Sequence, residues 1–267
     1  MPMTRDRAAV AVLTVALACA ALLSASCESA LPVFIGSAGD TWTRSYPLQP
    51  GGQVDIANTD GDIDAQGWDG PTVEVTVDRS VRASSQDAAR EALRSLVIKE
   101  SIAPDRVGLD VANPPGDVRV LLTFHVKVPR LAGLRLTVAD GRLQVANVAG
   151  PADLQTTNGP IDARVMAGPV SARTTNGRIA VDFDAIGLTA GPMRLQTVNG
   201  GIDVTMPRNG KVDLSARAGH GGIDVSGKLP IELDVQAPHR FEGRLNGGGA
   251  RLVMETGNGS IRIGSRP

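Results

Sequence analysis

The chain spells one short turn again and again, and that repetition constrains the fold more than any other feature. From Thr156 to Val181 it reads TTNGPIDARVMAGPVSARTTNGRIAV, with Asn176 eighteen residues after Asn158. Eight segments share the pattern: alternating apolar residues, a turn pair ending in Gly, then x-apolar-x-apolar. They centre on Asp60-Gly61, Asp140-Gly141, Asn158-Gly159, Asn176-Gly177, Asn199-Gly200, His220-Gly221, Gly247-Gly248 and Asn258-Gly259. A second punctuation mark falls between them at Gly70-Pro71, Gly150-Pro151, Gly168-Pro169 and Gly191-Pro192, with Asn209-Gly210 taking that place once. Self-similarity at a fixed period is the mark of stacked repeats.

Asn-Gly between alternating strands is equally the signal of a two-residue hairpin, so an antiparallel meander or sandwich stands as the alternative. Pro160 argues against a hairpin at Asn158-Gly159, because residue 160 would have to donate a backbone N–H that proline lacks. The expectation is an all-β, single-domain β-solenoid of stacked 18–23-residue coils with Asn-Gly corners and one short capping α-helix. The unit beginning at Asn176 carries its extra residues in DFDAIGLTA, on one side of the coil, as a surface loop would be added.

Stacked coils lie about 4.8 Å apart, so equivalent residues form columns. Read in chain order, Asn158, Asn176, Asn199, His220 and Asn258 make one column, broken at Gly247. Gly159, Gly177, Gly200 and Gly259 follow, with glycine expected to supply a positive φ. Thr156, Thr174, Thr197 and Thr256 make a parallel column, interrupted by Ala218. These amides and hydroxyls read as structural, satisfying one another from coil to coil. The apolar spine is Leu143, Ile161, Ile179, Ile202, Ile223, Ala250 and Ile261. Beside it runs an outward column of Gln144, Asp162, Ala180, Asp203, Asp224, Arg251 and Arg262. There Asp162, Asp203 and Asp224 are the candidate polar site, and neighbouring Asp203 and Asp224 would repel unless screened or bridged by a cation. The Gly-Gly-Ile-Asp-Val runs share glycines with the calcium-binding nonapeptide but lack its third glycine, which favours a solvated polar face and no cofactor.

Residues 73–129 break the pattern. SSQDAAREALRSLVIKE predicts a helix N-capped by Ser84, with Ala89, Leu93, Leu96 and Val97 on one face, covering an open end of the stack or serving as an interaction helix. Residues 27–50 read as a linker ahead of a repeat domain at 51–264.

Arg5 and Arg7 precede an uncharged run from Ala8 to Ser26, the form of an export signal over residues 1–26. Its end allows three outcomes: lipid attachment at Cys27 in an imperfect lipobox, secretory cleavage after Ser24-Ala25-Ser26, or an uncleaved anchor. Each places the domain outside the cytoplasm, in the cell envelope or secreted. Once the signal is removed, Cys27 is the sole thiol, so packing and backbone pairing rather than a disulfide must hold the fold. The formal net charge of -1 gives no electrostatic case for nucleic acid, which would want a basic face.

The signal, VDIANTDGDIDAQGWDG, HVKVP and the L-x-T-x-N-G-x-I-x-V coils together resemble the bacterial putative-adhesin family of β-strand-repeat domains, over roughly Gln53 to Ile263. The resemblance implies an exported β-solenoid of unknown function and carries no catalytic residue. Aromatic residues make up only 3% of the chain, few for gripping sugar rings. His125, His220 and His239 have no neighbouring nucleophile in the sequence, and no hydrolase, phosphate-loop or metal motif occurs. The expectation is a non-catalytic envelope adhesin or assembly module whose partner is an envelope or extracellular protein or glycan, with a lipid anchor as its tie to the membrane. The alternatives are a periplasmic envelope-stress sensor or accessory module, and a carbohydrate-active enzyme on a β-helix.

Overall fold

The computed structural model describes residues 34–112, 117–186, 191–227 and 229–266; the expected export signal at residues 1–26 and Cys27 lie outside them. Gly36–Pro47 forms β1. Gln53–Asp60 (β2) and Ile63–Trp68 (β3) flank the first corner, and Thr72–Ala83 (β4) leads into helix α1, Gln86–Ser95. Val97–Ala103 (β5), Arg106–Ala112 (β6) and Arg119–Pro129 (β7) follow. Then come pairs: Gly133–Asp140 and Leu143–Ala146 (β8, β9), Ala152–Asn158 and Ile161–Met166 (β10, β11), Val170–Asn176 and Ile179–Phe183 (β12, β13), Met193–Asn199 and Ile202–Met206 (β14, β15), Val212–His220 and Ile223–Val225 (β16, β17). Ile231–Ala237 (β18) and Arg240–Leu245 (β19) form a hairpin, and Ala250–Asn258 and Ile261–Ser265 (β20, β21) make the last pair.

The described chain is thus mostly strand with a single helix, arranged as two large mixed sheets with no closed barrel. One sheet has ten strands in the order β1-β4-β7-β3-β9-β11-β13-β15-β21-β17, the other eleven in the order β18-β19-β16-β20-β14-β12-β10-β8-β2-β6-β5. The middle of each is parallel; both ends of the eleven-stranded sheet are antiparallel, but the ten-stranded sheet is antiparallel only at its β1-β4-β7 end and stays parallel to β17. The two strands of each pair lie in different sheets, so every Asn-Gly turn there is a corner and none is a hairpin. At Asn158-Gly159-Pro160 the proline needs no N–H, and its carbonyl accepts from Leu143 of the coil before.

Inward positions of both sheets form one core. Ile63, Leu143, Ile161, Ile179, Ile202 and Ile261 stand in register in the ten-stranded sheet, all fully buried. Leu136, Leu154, Ala172, Leu195, Met254 and Ala216 face them from the other sheet. Each large side chain so buried is worth about 1.5–3 kcal/mol.

Coil order departs from chain order. β14 pairs with β20, and β16 lies on the far side of β20, so the C-terminal coil is inserted between two earlier ones. The cause is the β18–β19 hairpin. β19 runs antiparallel along the outer side of β16, and Asn246, Gly247 and Gly248, all with positive φ, carry the chain over the start of β16 to its inner side. There Asn246 donates to the carbonyls of Arg208 and Gly210. Gly247-Gly248 is therefore this crossing and not a coil corner, which is why the Asn column breaks there. Ala250, assigned to the apolar spine, instead stands opposite Val212 in the eleven-stranded sheet. Ile223 closes the spine at the end of the stack, only partly buried.

Two boundaries also move. Residues Gly36–Pro47, read as linker, pair along their whole length with β4 as an edge strand. The helix cap is Ser85, not Ser84: its hydroxyl accepts from Ala88 N at 3.1 Å. Ala89 and Ala92 are the buried helix positions, while Val97, expected on that face, begins β5 and is exposed. The helix runs from the ten-stranded sheet to the eleven-stranded one at the β1/β5 end, where Tyr46 of β1 donates to Glu100 of β5 at 2.7 Å and ties the two edges together. Burial first and the Glu100 carboxylate second push the Tyr46 phenol well above its usual value.

Candidate functional site

The corner columns hold the stack together. Asn176 donates to Asn158, Asn199 to Asn176 and Asn258 to Asn199, each at 2.8 Å, and Asn158 donates to the Asp140 carboxylate at 2.6 Å. His220 takes the last place, beyond Asn258. Thr156, Thr174, Thr197 and Thr256 each donate to a corner glycine carbonyl of the neighbouring coil, at 2.8–3.2 Å. Gly159 has the expected positive φ, at 153°, but the other three glycines of the column are required for a different reason. Gly177, Gly200 and Gly259 do not have left-handed φ; a Cβ on any of them would lie 1.9–2.0 Å from the carbonyl oxygen of the glycine in the next coil. Close approach of backbones, more than turn conformation, fixes glycine here.

The outward column of the ten-stranded sheet reads Asp64, Gln144, Asp162, Ala180, Asp203, Arg262, Asp224 once the coils stand in their actual order. Arg262 separates the two carboxylates expected to repel, and Arg178 and Arg262 both engage Asp203, at 2.5 and 3.3 Å. Asp162 lies two rungs from Asp203, across Ala180. Among the described residues no group of three or more His, Cys, Asp or Glu side chains is placed to hold a metal ion. His239 Nδ1 lies 2.7 Å from the Gly221 carbonyl, and His125 lies 3.7 Å from exposed Asp78.

A different surface carries the concentration of long polar side chains: the outer face of the eleven-stranded sheet. Because its central strands are parallel and in register, outward residues form rows across the strands. One row reads Arg135, Asp153, Ser171, Arg194, Val253, Ser215 and the next Thr137, Gln155, Arg173, Gln196, Glu255, Arg217. Two shallow grooves cross this face. The first, about 460 Å³, lies over β10, β12, β14 and β20, and its charged lining is Arg173, Arg194, Arg251 and Asp153. The second, about 410 Å³, is lined in part by Ala57 and Gly108 and by the mixed charges of Lys99, Arg106, Arg135, Asp55 and Asp110.

In the first groove, Arg194 is 3.6 Å from Glu255, and Asp153 is 3.7 Å from Arg135. Arg173 donates to the neutral Gln196 amide at 2.7 Å. Neither Arg173 nor Arg251 has an ion-pair partner among the described residues. Sequence reasoning missed this group. The spacing that aligns Asn176 with Asn199 also places Arg173 beside Gln196, but Arg251 joins them only because the last coil is inserted next to β14.

No family model and no curated protein matches the sequence. Among solved structures, the chain is similar to a putative cell adhesion protein from Clostridium sporogenes at 14% identity, covering 85% of this chain and 100% of that one, with a TM-score of 0.45. It is also similar to putative adhesins from Bacteroides fragilis (11% identity, 84% and 97% covered, TM-score 0.38) and Parabacteroides merdae (9% identity, 85% and 97% covered, TM-score 0.27).

Proposed function

We propose that the protein is an exported, non-catalytic binding module of the cell envelope, adhesin-like in role, whose stacked coils form a β-solenoid scaffold for one recognition face. The observation that carries this reading is the outer face of the eleven-stranded sheet, where parallel pairing sets long polar side chains in straight rows around two shallow grooves. Such a face offers many equivalent contacts to an extended partner and no enclosed pocket in which to isolate a reaction. An export signal at residues 1–26, with lipid attachment at Cys27, would hold this face outside the membrane. No helix among the described residues is long and apolar enough to cross a membrane.

The test uses full-length protein in mild detergent, coupled to beads and incubated with isolated bacterial envelopes and extracellular polysaccharide, against beads carrying an unrelated all-β protein. Specific retention that is lost on the charge-reversed face (Arg135→Glu, Arg194→Glu and Arg217→Glu together) supports the reading. Retention equal to the control beads overturns it, as does release of new reducing ends from the glycan.

A further inference from the structure

We propose that the first groove binds an acidic polysaccharide through a diagonal line of cations, a step that rests on the binding-face reading and names its ligand class. Register fixes the line. Ser171 stands opposite Arg194, so Arg173 on β12 is one strand across and two residues along from Arg194 on β14. Met193 stands opposite Leu252, which puts Arg251 on β20 in the same relation to Arg194. One strand further, Lys211, just ahead of β16, continues the step, since Val212 stands opposite Ala250. Four cations therefore cross four adjacent strands in one direction, each about 7–8 Å from the next at the backbone.

All strands beneath this line are paired on both sides, so a ligand there meets side chains and no free backbone edge. That disfavours an added peptide strand, which needs an unpaired edge. Aromatic side chains are absent from the groove lining, so nucleic-acid bases find no stacking platform. A chain of uronate sugars suits what is present. Its carboxylates recur along a line, as the guanidinium groups do, and each guanidinium can take a carboxylate with two parallel hydrogen bonds. Its hydroxyls fit the polar groups beside the cations: Ser171 and Gln196 between Arg173 and Arg194, and Gln155 and Asp153 on the neighbouring β10. Arg173 and Arg251, free of ion pairs among the described residues, would exchange water and not an internal carboxylate for the ligand, so they carry the larger share of binding.

The experiment titrates full-length protein in mild detergent with polygalacturonate, and with neutral dextran, polyglutamate and single-stranded oligothymidylate as comparisons. The expected result is binding of polygalacturonate well above the other three, weakening steeply with added salt. Arg173→Gln with Arg251→Gln should cost about tenfold or more. Arg82→Gln, on β4 of the other sheet, should leave binding unchanged. The ligand class is overturned by polygalacturonate binding no better than dextran, by equal or tighter binding of polyglutamate or the oligonucleotide, or by an unchanged affinity in the double variant. If polygalacturonate fails while bead retention on envelopes persists and is lost on the charge-reversed face, only the ligand class falls; if retention also equals control, the binding-face reading falls with it.

Discussion

Replacing Gly177 with alanine tests the stacking argument at its tightest point. The added Cβ would sit 1.9 Å from the Gly159 carbonyl oxygen, well inside the roughly 3.3 Å at which carbon and carbonyl oxygen normally meet. Neither partner can yield by rotating a side chain, because both are backbone. The coils must therefore separate locally by more than about 1 Å. Four hydrogen bonds cross that gap: Gly159 N–H to the Asn176 carbonyl and Ile161 N–H to the Arg178 carbonyl, both 2.9 Å, Thr174 to the Gly159 carbonyl at 3.1 Å, and Asn176 to Asn158 at 2.8 Å. Stretched by that much they cease to count, and at about 1 kcal/mol net apiece the loss approaches 4 kcal/mol, or about 2 if half survive by relaxation. That is a large part of the total stability of an ordinary domain. Urea unfolding followed by far-ultraviolet circular dichroism measures it, with Gly222→Ala as control, since nothing lies within 4 Å of a Cβ built there. A Gly177→Ala midpoint equal to wild type at unchanged slope, or equal to the control, would refute the claim that backbone approach fixes the glycine column.

The spine gives a graded prediction: Ile202→Ala, at a fully buried mid-stack position, should cost about 2–4 kcal/mol in chemical unfolding, and Ile223→Ala at the partly exposed end less than about 1. Val165 is a β-branched residue at φ 55°, beside Asn147 at φ 58° in the neighbouring coil, so Val165→Asn should raise stability by about 0.5–1 kcal/mol, read as a higher thermal midpoint. Tyr46 is the chain's single tyrosine, so phenolate absorbance reports it alone. Because folding raises its pKa, its contribution is complete below the unfolded value of about 10 and is lost as pH rises through the folded one. The native protein should therefore ionise at higher pH than the urea-unfolded chain, stability should fall above about pH 10, and Tyr46→Phe should remove that dependence on Tyr46.

How much of this was legible in the sequence follows from what repetition can encode. The corners at Asn158, Asn176, Asn199 and Asn258 and the inward alternation of Leu154, Thr156, Ile161 and Ala163 repeat a local rule, and local rules are written locally. Coil order is different. Equivalent coils offer nearly the same apolar and amide surface to any neighbour, so likeness of sequence says which residues align but not which coils touch. The insertion of β20 and β21 depends on the β18–β19 hairpin that precedes them, and only it brings Arg251 beside Arg194 and Arg262 between Asp203 and Asp224. The strand β1 was hidden for another reason. As an edge strand it buries few of its residues, so GSAGDTWTRSYP carries little alternation to find. The Tyr46–Glu100 contact, spanning 54 residues, has no sequence signature.

The inserted coil also sets an order of events. A chain that emerges N-terminus first can stack β8 to β15 as it appears, but β16 then has no parallel neighbour, because the place beside it belongs to residues not yet delivered. Until Ala250–Ser265 arrive, the coil from β16 to β17 and the β18–β19 hairpin must wait unattached or pair wrongly with the open face of β14. A chain cut between β17 and Ala250 therefore lacks a middle piece rather than an end, and the stack closes only when the last coil is present.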